Sequence, residues 1–101
     1  MYTLLFYIKD GLETDEWMQY DFKVAKYFST LEEAIQYVNN NNVDAVKDLI
    51  SKGYSVGYSV VPSDKLDSNV EYSIITYAYK VGCVINHNLC FKYEIVNKEK
   101  S

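Results

Sequence analysis

The sequence predicts an α+β protein with a single, mostly antiparallel sheet of about five strands and two helices packed on one face. Two observations carry this prediction. Apolar and polar residues alternate with a period of two in several segments, as in half-buried strands. In the middle of the chain the apolar spacing changes to that of an amphipathic helix. The elements follow one another as ββ-αα-βββ. The chain of 101 residues is predicted to be one domain, 1–101, with a frayed tail at 97–101.

The first two strands are predicted over residues 2–9 and 18–24. One face of the first strand carries Tyr2, Leu4, Phe6 and Ile8, and one face of the second carries Met18, Tyr20, Phe22 and Val24. Asp10 and Gly11 supply turn chemistry between them. The two strands are therefore expected to pair antiparallel, joined by an acidic connection over 10–16.

A first helix is predicted to begin after Ser29 or Thr30, because each has a glutamate three residues later, the spacing of a capping box. Its apolar stripe is Leu31, Ala34, Ile35 and Val38. The asparagine run 39–42 is too polar to continue that stripe, and asparagine suits both helix ends. This predicts a stop and a restart.

The second helix is predicted to be about ten residues long, with Val46, Leu49 and Ile50 directed inward. Gly53 is the expected stop, because glycine readily adopts the left-handed conformation after a helix.

Three more strands are predicted over 54–61, 70–81 and 89–95, with Pro62 ending the first, a polar loop over 63–69, and a further short strand near 83–85. If Asn86 and His87 are the two turn residues of the last hairpin, Cys83 faces Cys90 across the strands.

The composition excludes several classes of protein. With 49% hydrophobic and 24% charged residues, the chain is neither disordered nor rich in membrane-spanning segments. The first residues lack the basic region of a signal peptide, so a cytoplasmic location is expected. The abundance of Tyr, Asn, Ile and Lys without arginine is typical of AT-rich coding DNA, as in a low-GC bacterium, its phages or plasmids. The missing arginine and the net charge of −4 argue against direct nucleic-acid binding.

Cys83, His87 and Cys90 form the only cluster with the character of metal ligands. Structural zinc takes four ligands, and no further Cys or His exists to complete the set, so these three are weak candidates. Buried thiols explain the cysteines more simply. No nucleophile elbow and no glycine-rich phosphate loop is present. We therefore expect no enzyme activity and no cofactor.

The acidic charge is concentrated near the N-terminus, since residues 1–21 contain five acidic residues and one lysine, while the remaining charges cancel. Three interpretations remain open: a cation site, although the EF-hand pattern is missing; a solvated loop; and a docking patch for a basic groove. The predicted partner-binding residues are Asp10, Glu13, Asp15, Glu16, Trp17, Tyr20 and Asp21.

Four of the eleven tyrosines form a second candidate surface: Tyr54, Tyr58, Tyr77 and Tyr79. If they share the helix-free face of the sheet, they make an aromatic contact surface. If they point under the helices, they belong to the core.

In length, acidity and lack of catalytic residues the chain resembles the small acidic antagonists of phages and mobile elements, among them anti-CRISPR and DNA-mimic proteins. The resemblance implies an anti-defence inhibitor that blocks a basic surface of a host protein, such as a nuclease or another nucleic-acid-binding protein. The modest net charge favours a local acidic plug over mimicry of a whole duplex. The alternatives are an immunity protein that neutralises a basic toxin, and a small-molecule or nucleotide sponge with a tyrosine-lined pocket. Homodimerisation through an exposed strand edge is compatible with all of them.

Overall fold

The computed structural model describes residues 1–10, 17–20, 26–82 and 87–97; for Asp10, Gln19, Tyr20 and His87 it describes the backbone. The predicted α+β class is confirmed, because the described residues form one antiparallel sheet and one α-helix. The elements are β1 (Tyr2–Asp10), β2 (Met18–Tyr20), β3 (Tyr27–Phe28), α1 (Leu31–Ser51), β4 (Ser55–Val60), β5 (Val70–Lys80) and β6 (His87–Asn97), with a 3₁₀ turn at Ser63–Lys65.

The sheet has the strand order β2-β1-β6-β5-β4, and β3 also pairs with β1. The predicted antiparallel pairing of the first two strands is confirmed, with Tyr7 opposite Gln19. The last strand, β6, lies in the centre of the sheet between β1 and β5. Its final residue, Asn97, pairs with Tyr2. The first and the last strand are thus paired in the middle of the sheet. Strand β4 lies at one edge, and the short strands β2 and β3 lie at the other.

The prediction of two helices was wrong, because the asparagine run does not interrupt α1. Asn42 is only 2% exposed and occupies a position on the buried stripe of the helix. Its side-chain oxygen accepts a hydrogen bond of 2.7 Å from the Thr76 hydroxyl of β5. The Asn41 amide donates to the Tyr37 carbonyl one turn earlier, and Asn39 accepts a hydrogen bond from the Tyr72 hydroxyl. The sheet and the helix satisfy these amides, so the helix continues.

The predicted start of the first helix and the predicted end of the second are confirmed as the two ends of α1. Thr30 is the N-cap, and its hydroxyl accepts from the Glu33 N–H. At the other end Gly53 has a φ of +91°. The Gly53 N–H donates to the Ile50 carbonyl and the Tyr54 N–H to the Leu49 carbonyl, which is the hydrogen-bond pattern of a Schellman motif. Leu49 is buried as expected, whereas Ile50 is 57% exposed and does not point inward.

The last hairpin differs from its prediction. His87 pairs with Lys80 as the first residue of β6, so Asn86-His87 is not the turn. The predicted short strand near 83–85 lies outside the described residues, as does the part of the second predicted strand beyond Tyr20, namely 21–24.

Helix α1 covers one face of the sheet. The core beneath it consists of two clusters of buried side chains: Leu4, Ala34, Val38, Ile74 and Ile95 in the first, and Leu49, Ala78 and Phe91 in the second. Strand β1 contributes Tyr2, Leu4, Phe6 and Ile8 to this side, as its alternation predicted. The other side of the sheet, hereafter the open face, has no described helix packed against it.

Candidate functional site: the open face of the sheet

Backbone pairing arranges the open face in rows that cross the strands. Lys9 of β1 pairs with Cys90 of β6, Cys90 pairs with Tyr77 of β5, and Tyr77 pairs with Gly57 of β4. The register of β1 with β2 continues this row to Trp17, the residue before β2. At about 4.8 Å per strand, Trp17 and Tyr77 lie roughly 14 Å apart.

Trp17 is held against this face by two lysines. The ammonium nitrogen of Lys92 lies 4.5 Å from the centre of the indole ring, and that of Lys9 lies 5.3 Å from it. Lys92 is also 4.9 Å from the centre of the Tyr7 ring. Each contact is within the range of a cation–π interaction, which strengthens as the ammonium loses water. The Trp17 side chain is therefore positioned on the sheet by contacts with lysines of two other strands, in addition to its bonds within the chain.

The cluster also contains a carboxylate. The ammonium of Lys92 lies 3.7 Å from the Glu94 carboxylate, and the two side chains are only 18% and 17% exposed. Burial and then the negative charge of Glu94 raise the pKa of the Tyr7 hydroxyl. The cluster of Tyr7, Lys9, Trp17, Lys92 and Glu94 thus balances two cations with one described anion and two aromatic rings.

Cys90 lies beneath this cluster as a free, fully buried cysteine. Burial raises the pKa of its thiol, although the charges of Lys9 and Lys92 act in the opposite direction. The thiol is therefore protonated at neutral pH and has little reactivity.

The hypothesis that Cys83 faces Cys90 was wrong. The cross-strand neighbours of Cys90 are Lys9 on one side and Tyr77 on the other, because the last hairpin is longer than a two-residue turn. Cys83 and the side chain of His87, the other two weak zinc candidates, lie outside the described residues. Across the described ranges, no three His, Cys, Asp or Glu residues come together in a way that could hold a metal ion.

Tyr77 and Tyr79 stand on the open face, and each is 41% exposed. Together with Ser55 and Gly57 they line a shallow groove of about 220 Å³. A methyl group added at Gly57 would meet no atom within 4 Å, so the space above this residue is open.

The four candidate tyrosines do not form one surface, and that hypothesis needs correction. Tyr58 pairs with Thr76, whose side chain is buried under α1, so Tyr58 shares the helix side of the sheet rather than the face of Tyr77. Tyr54 packs against the second core cluster, with the Lys80 ammonium 5.6 Å from its ring. The register of β4 with β5 places Tyr58 and Tyr77 on opposite faces of the sheet. The pattern of apolar residues within a single strand does not reveal this register.

The predicted acidic contact residues are only partly described. Asp10 ends β1 opposite Leu89, and the backbone of Tyr20 pairs with Phe6. Glu13, Asp15, Glu16 and Asp21 lie outside the described residues. The residues of the acidic segment that precede Trp17 in the chain, 11–16, are not among those described.

Sequence reasoning identified Trp17, Tyr77 and Tyr79 but missed Tyr7, Lys9, Lys92 and Glu94. All four stand at the polar positions of the alternation in β1 and β6, and this signal is visible in the sequence. What was missing is the pairing of the first strand with the last, which brings the four side chains together.

The described chain contains no helix with the length and apolar character needed to cross a membrane. Comparison with protein-family models, with curated proteins and with solved structures gave no match.

Proposed function

We propose that this chain is a non-enzymatic binding protein that inhibits a basic, nucleic-acid-handling protein of a bacterial cell. Its contact surface is the open face together with the adjacent acidic segment. The observation that supports this most directly is the position of Trp17, which follows the acidic segment in the sequence and whose ring contacts the ammonium groups of Lys9 and Lys92 on the open face. An aromatic anchor next to a concentration of acids is a suitable combination for docking on a basic groove.

The Trp17 side chain is already ordered for binding. A large side chain that is already ordered loses little conformational entropy when a partner binds, and this loss is one of the main costs of association. Trp17 is ordered by two cation–π contacts. Tyr77 and Tyr79 add exposed aromatic area on the same face, and tyrosine is a frequent hot-spot residue.

A protein partner fits this face better than a small ligand does. Small-molecule sites are concave and usually occupy about 300 to 1,000 Å³, whereas the groove between Tyr77 and Tyr79 is shallow and measures about 220 Å³. A single-stranded nucleic acid would need free aromatic faces for stacking, and the rings of Tyr7 and Trp17 are in contact with lysine.

The target is first captured from the lysate of a low-GC bacterium with tagged protein, washed at low and high salt. The captured protein is then used for association kinetics. We expect Glu13→Gln/Asp15→Asn/Glu16→Gln to slow association at low salt by about 10- to 1,000-fold and to flatten its salt dependence, because the acids steer the encounter. The control Glu32→Gln/Glu33→Gln/Asp44→Asn removes the same charge from exposed positions on α1, and it should leave most of the rate intact.

The aromatic contribution is tested with Tyr77→Ala/Tyr79→Ala, which should accelerate dissociation. Val43→Ala/Ile50→Ala, which truncates exposed apolar residues on α1, is its control. Equal association rates for the two charge variants would exclude the acidic segment as the contact. A captured toxin would instead assign the protein to the immunity class.

A further inference from the structure

Among the described residues, the backbone groups on the outer edge of β4 have no partner strand. In the part of the chain that the structure describes, β4 pairs only with β5. The Val61 N–H donates to the Ser73 carbonyl at 2.9 Å. This bond shows which alternate residues of the strand direct their backbone N–H and C=O groups toward β5. Residues two apart point in the same direction, so Ser55, Gly57 and Ser59 bond to β5. The N–H and C=O groups of Val56, Tyr58 and Val60 consequently point away from the sheet.

Within the described ranges, nothing gives this edge the protection that sheet edges usually have. Natural edge strands are blunted by charged residues, proline, bulges or a covering element. The six residues of β4 read Ser-Val-Gly-Tyr-Ser-Val, without charge or proline, and all except Val56 are exposed. The ladder with β5 is regular over the whole strand. Tyr58 and Val60 are 58% and 51% exposed. The edge is therefore straight, neutral and apolar on its helix side.

We propose that this edge binds the same edge of a second copy of the chain, in antiparallel orientation, so that the two sheets become continuous across a two-fold axis. Antiparallel pairing with Tyr58 opposite its own copy puts Val56 opposite Val60 of the second copy. All three outward residues then exchange hydrogen bonds. On the helix side, valine faces valine and tyrosine faces tyrosine. On the open face, Gly57 lies opposite Ser59.

Self-complementarity selects a second copy over an unrelated strand. A two-fold interface requires a patch that fits itself. The segment Val56-Gly57-Tyr58-Ser59-Val60 reads nearly the same in both directions and carries no charge, so it supplies such a patch without opposing like charges. One strand pair is at the small end of interface sizes, so we expect a Kd in roughly the micromolar range. This inference does not depend on the proposed function, since it rests on the outward backbone groups of β4 and uses neither Trp17 nor the side chains of Tyr77 and Tyr79.

Analytical ultracentrifugation of the purified full chain over a wide concentration range tests the proposal. We expect a monomer–dimer equilibrium whose Kd rises at least about tenfold in Tyr58→Lys, because two ammonium groups then meet at the axis. Ile50→Lys is the control, since it adds the same charge at 57% exposure on α1, compared with 58% for Tyr58. Its Kd should stay near that of the unmodified chain.

Val60→Pro tests the backbone contribution separately. It removes an outward N–H that β5 does not use, and it should also weaken the dimer while circular dichroism confirms the fold. Hydrogen exchange supplies the register: the amides of Val56, Tyr58 and Val60 should gain protection as concentration rises. A chain that is monomeric at all concentrations overturns the proposal, as does a dimer unaffected by Tyr58→Lys. Protection that appears only with the captured target would assign the edge to a strand of that target instead.

Discussion

At the residue scale, the pair Asn42 and Thr76 shows how a polar contact decides the length of a helix. Both side chains are almost completely buried between α1 and the sheet, where an unpaired amide or hydroxyl would be costly. Each is the hydrogen-bond partner of the other at 2.7 Å. The contact lets a polar residue occupy the centre of the apolar stripe, and it fixes the position of α1 along β5.

Asn42→Ala is expected to lower the free energy of unfolding by about 1 to 3 kcal/mol, because the Thr76 hydroxyl is left buried without its acceptor. Asn40→Ala, at an exposed neighbouring position, is the control and should change stability little. Adding Thr76→Val to Asn42→Ala should recover part of the loss, since no buried hydroxyl remains unpaired. Urea denaturation of the unmodified chain, of Asn40→Ala, Asn42→Ala and Thr76→Val singly, and of the double variant measures these differences. Strictly additive effects of the two substitutions would contradict the coupling.

At the scale of the element, the end of α1 is determined by one backbone conformation. Gly53 has a φ of +91°, a backbone angle that L-residues with a side chain rarely adopt. The Lys80 ammonium donates to the Lys52 carbonyl at 2.8 Å, next to this turn, and a cation is favourable at the negative end of the helix dipole. The helix therefore stops here and the chain turns into β4.

Gly53→Ala is expected to destabilise the protein by about 1 to 2 kcal/mol, because alanine is strained in the left-handed region. Gly57→Ala provides a matched glycine control: its φ is not positive, and no atom lies within 4 Å of the added carbon. This variant should be neutral or slightly more stable, since glycine is unfavourable inside a strand. Thermal unfolding compares the two variants. A loss of stability at Gly57 as large as that at Gly53 would refute the explanation.

At the scale of the whole molecule, both faces of the sheet carry tyrosine hydroxyl or cysteine thiol groups that lose a proton at high pH. Burial opposes this ionisation. Burial is the main cause that raises the pKa of Tyr93 on the helix side, and of Tyr7 and Cys90 on the open face. A group whose pKa is higher in the folded state than in the unfolded state stabilises the folded protein. This stabilisation is fully present below the pKa of the unfolded state, and it is lost as the pH rises through the pKa of the folded state. The unfolded values are about 8.5 for cysteine and about 10 for tyrosine.

The free energy of unfolding is therefore expected to fall as the pH rises above about 8.5, and more steeply above about 10. Tyr93→Phe removes one of the three groups and should make the fall above pH 10 shallower. Denaturant titrations at a series of pH values measure both slopes. If Tyr93→Phe and the unmodified chain lose stability in parallel, the contribution of Tyr93 is disproved.

Local patterns of residues were enough to predict the α+β class, most strand positions, both ends of the helical region and the inward face of β1. These features follow from periodicity, capping and glycine, which act over a few residues. Such patterns could not determine that β6 lies between β1 and β5, that β4 pairs Gly57 with Tyr77, or that Thr76 satisfies Asn42.

Those contacts join residues far apart in the chain, and a shift of register by one residue moves every side chain to the other face. Packing between distant parts of the chain therefore determines which tyrosines share a surface and that Lys9 and Lys92 contact the ring of Trp17. It also explains why the described residues form one α-helix where two were predicted.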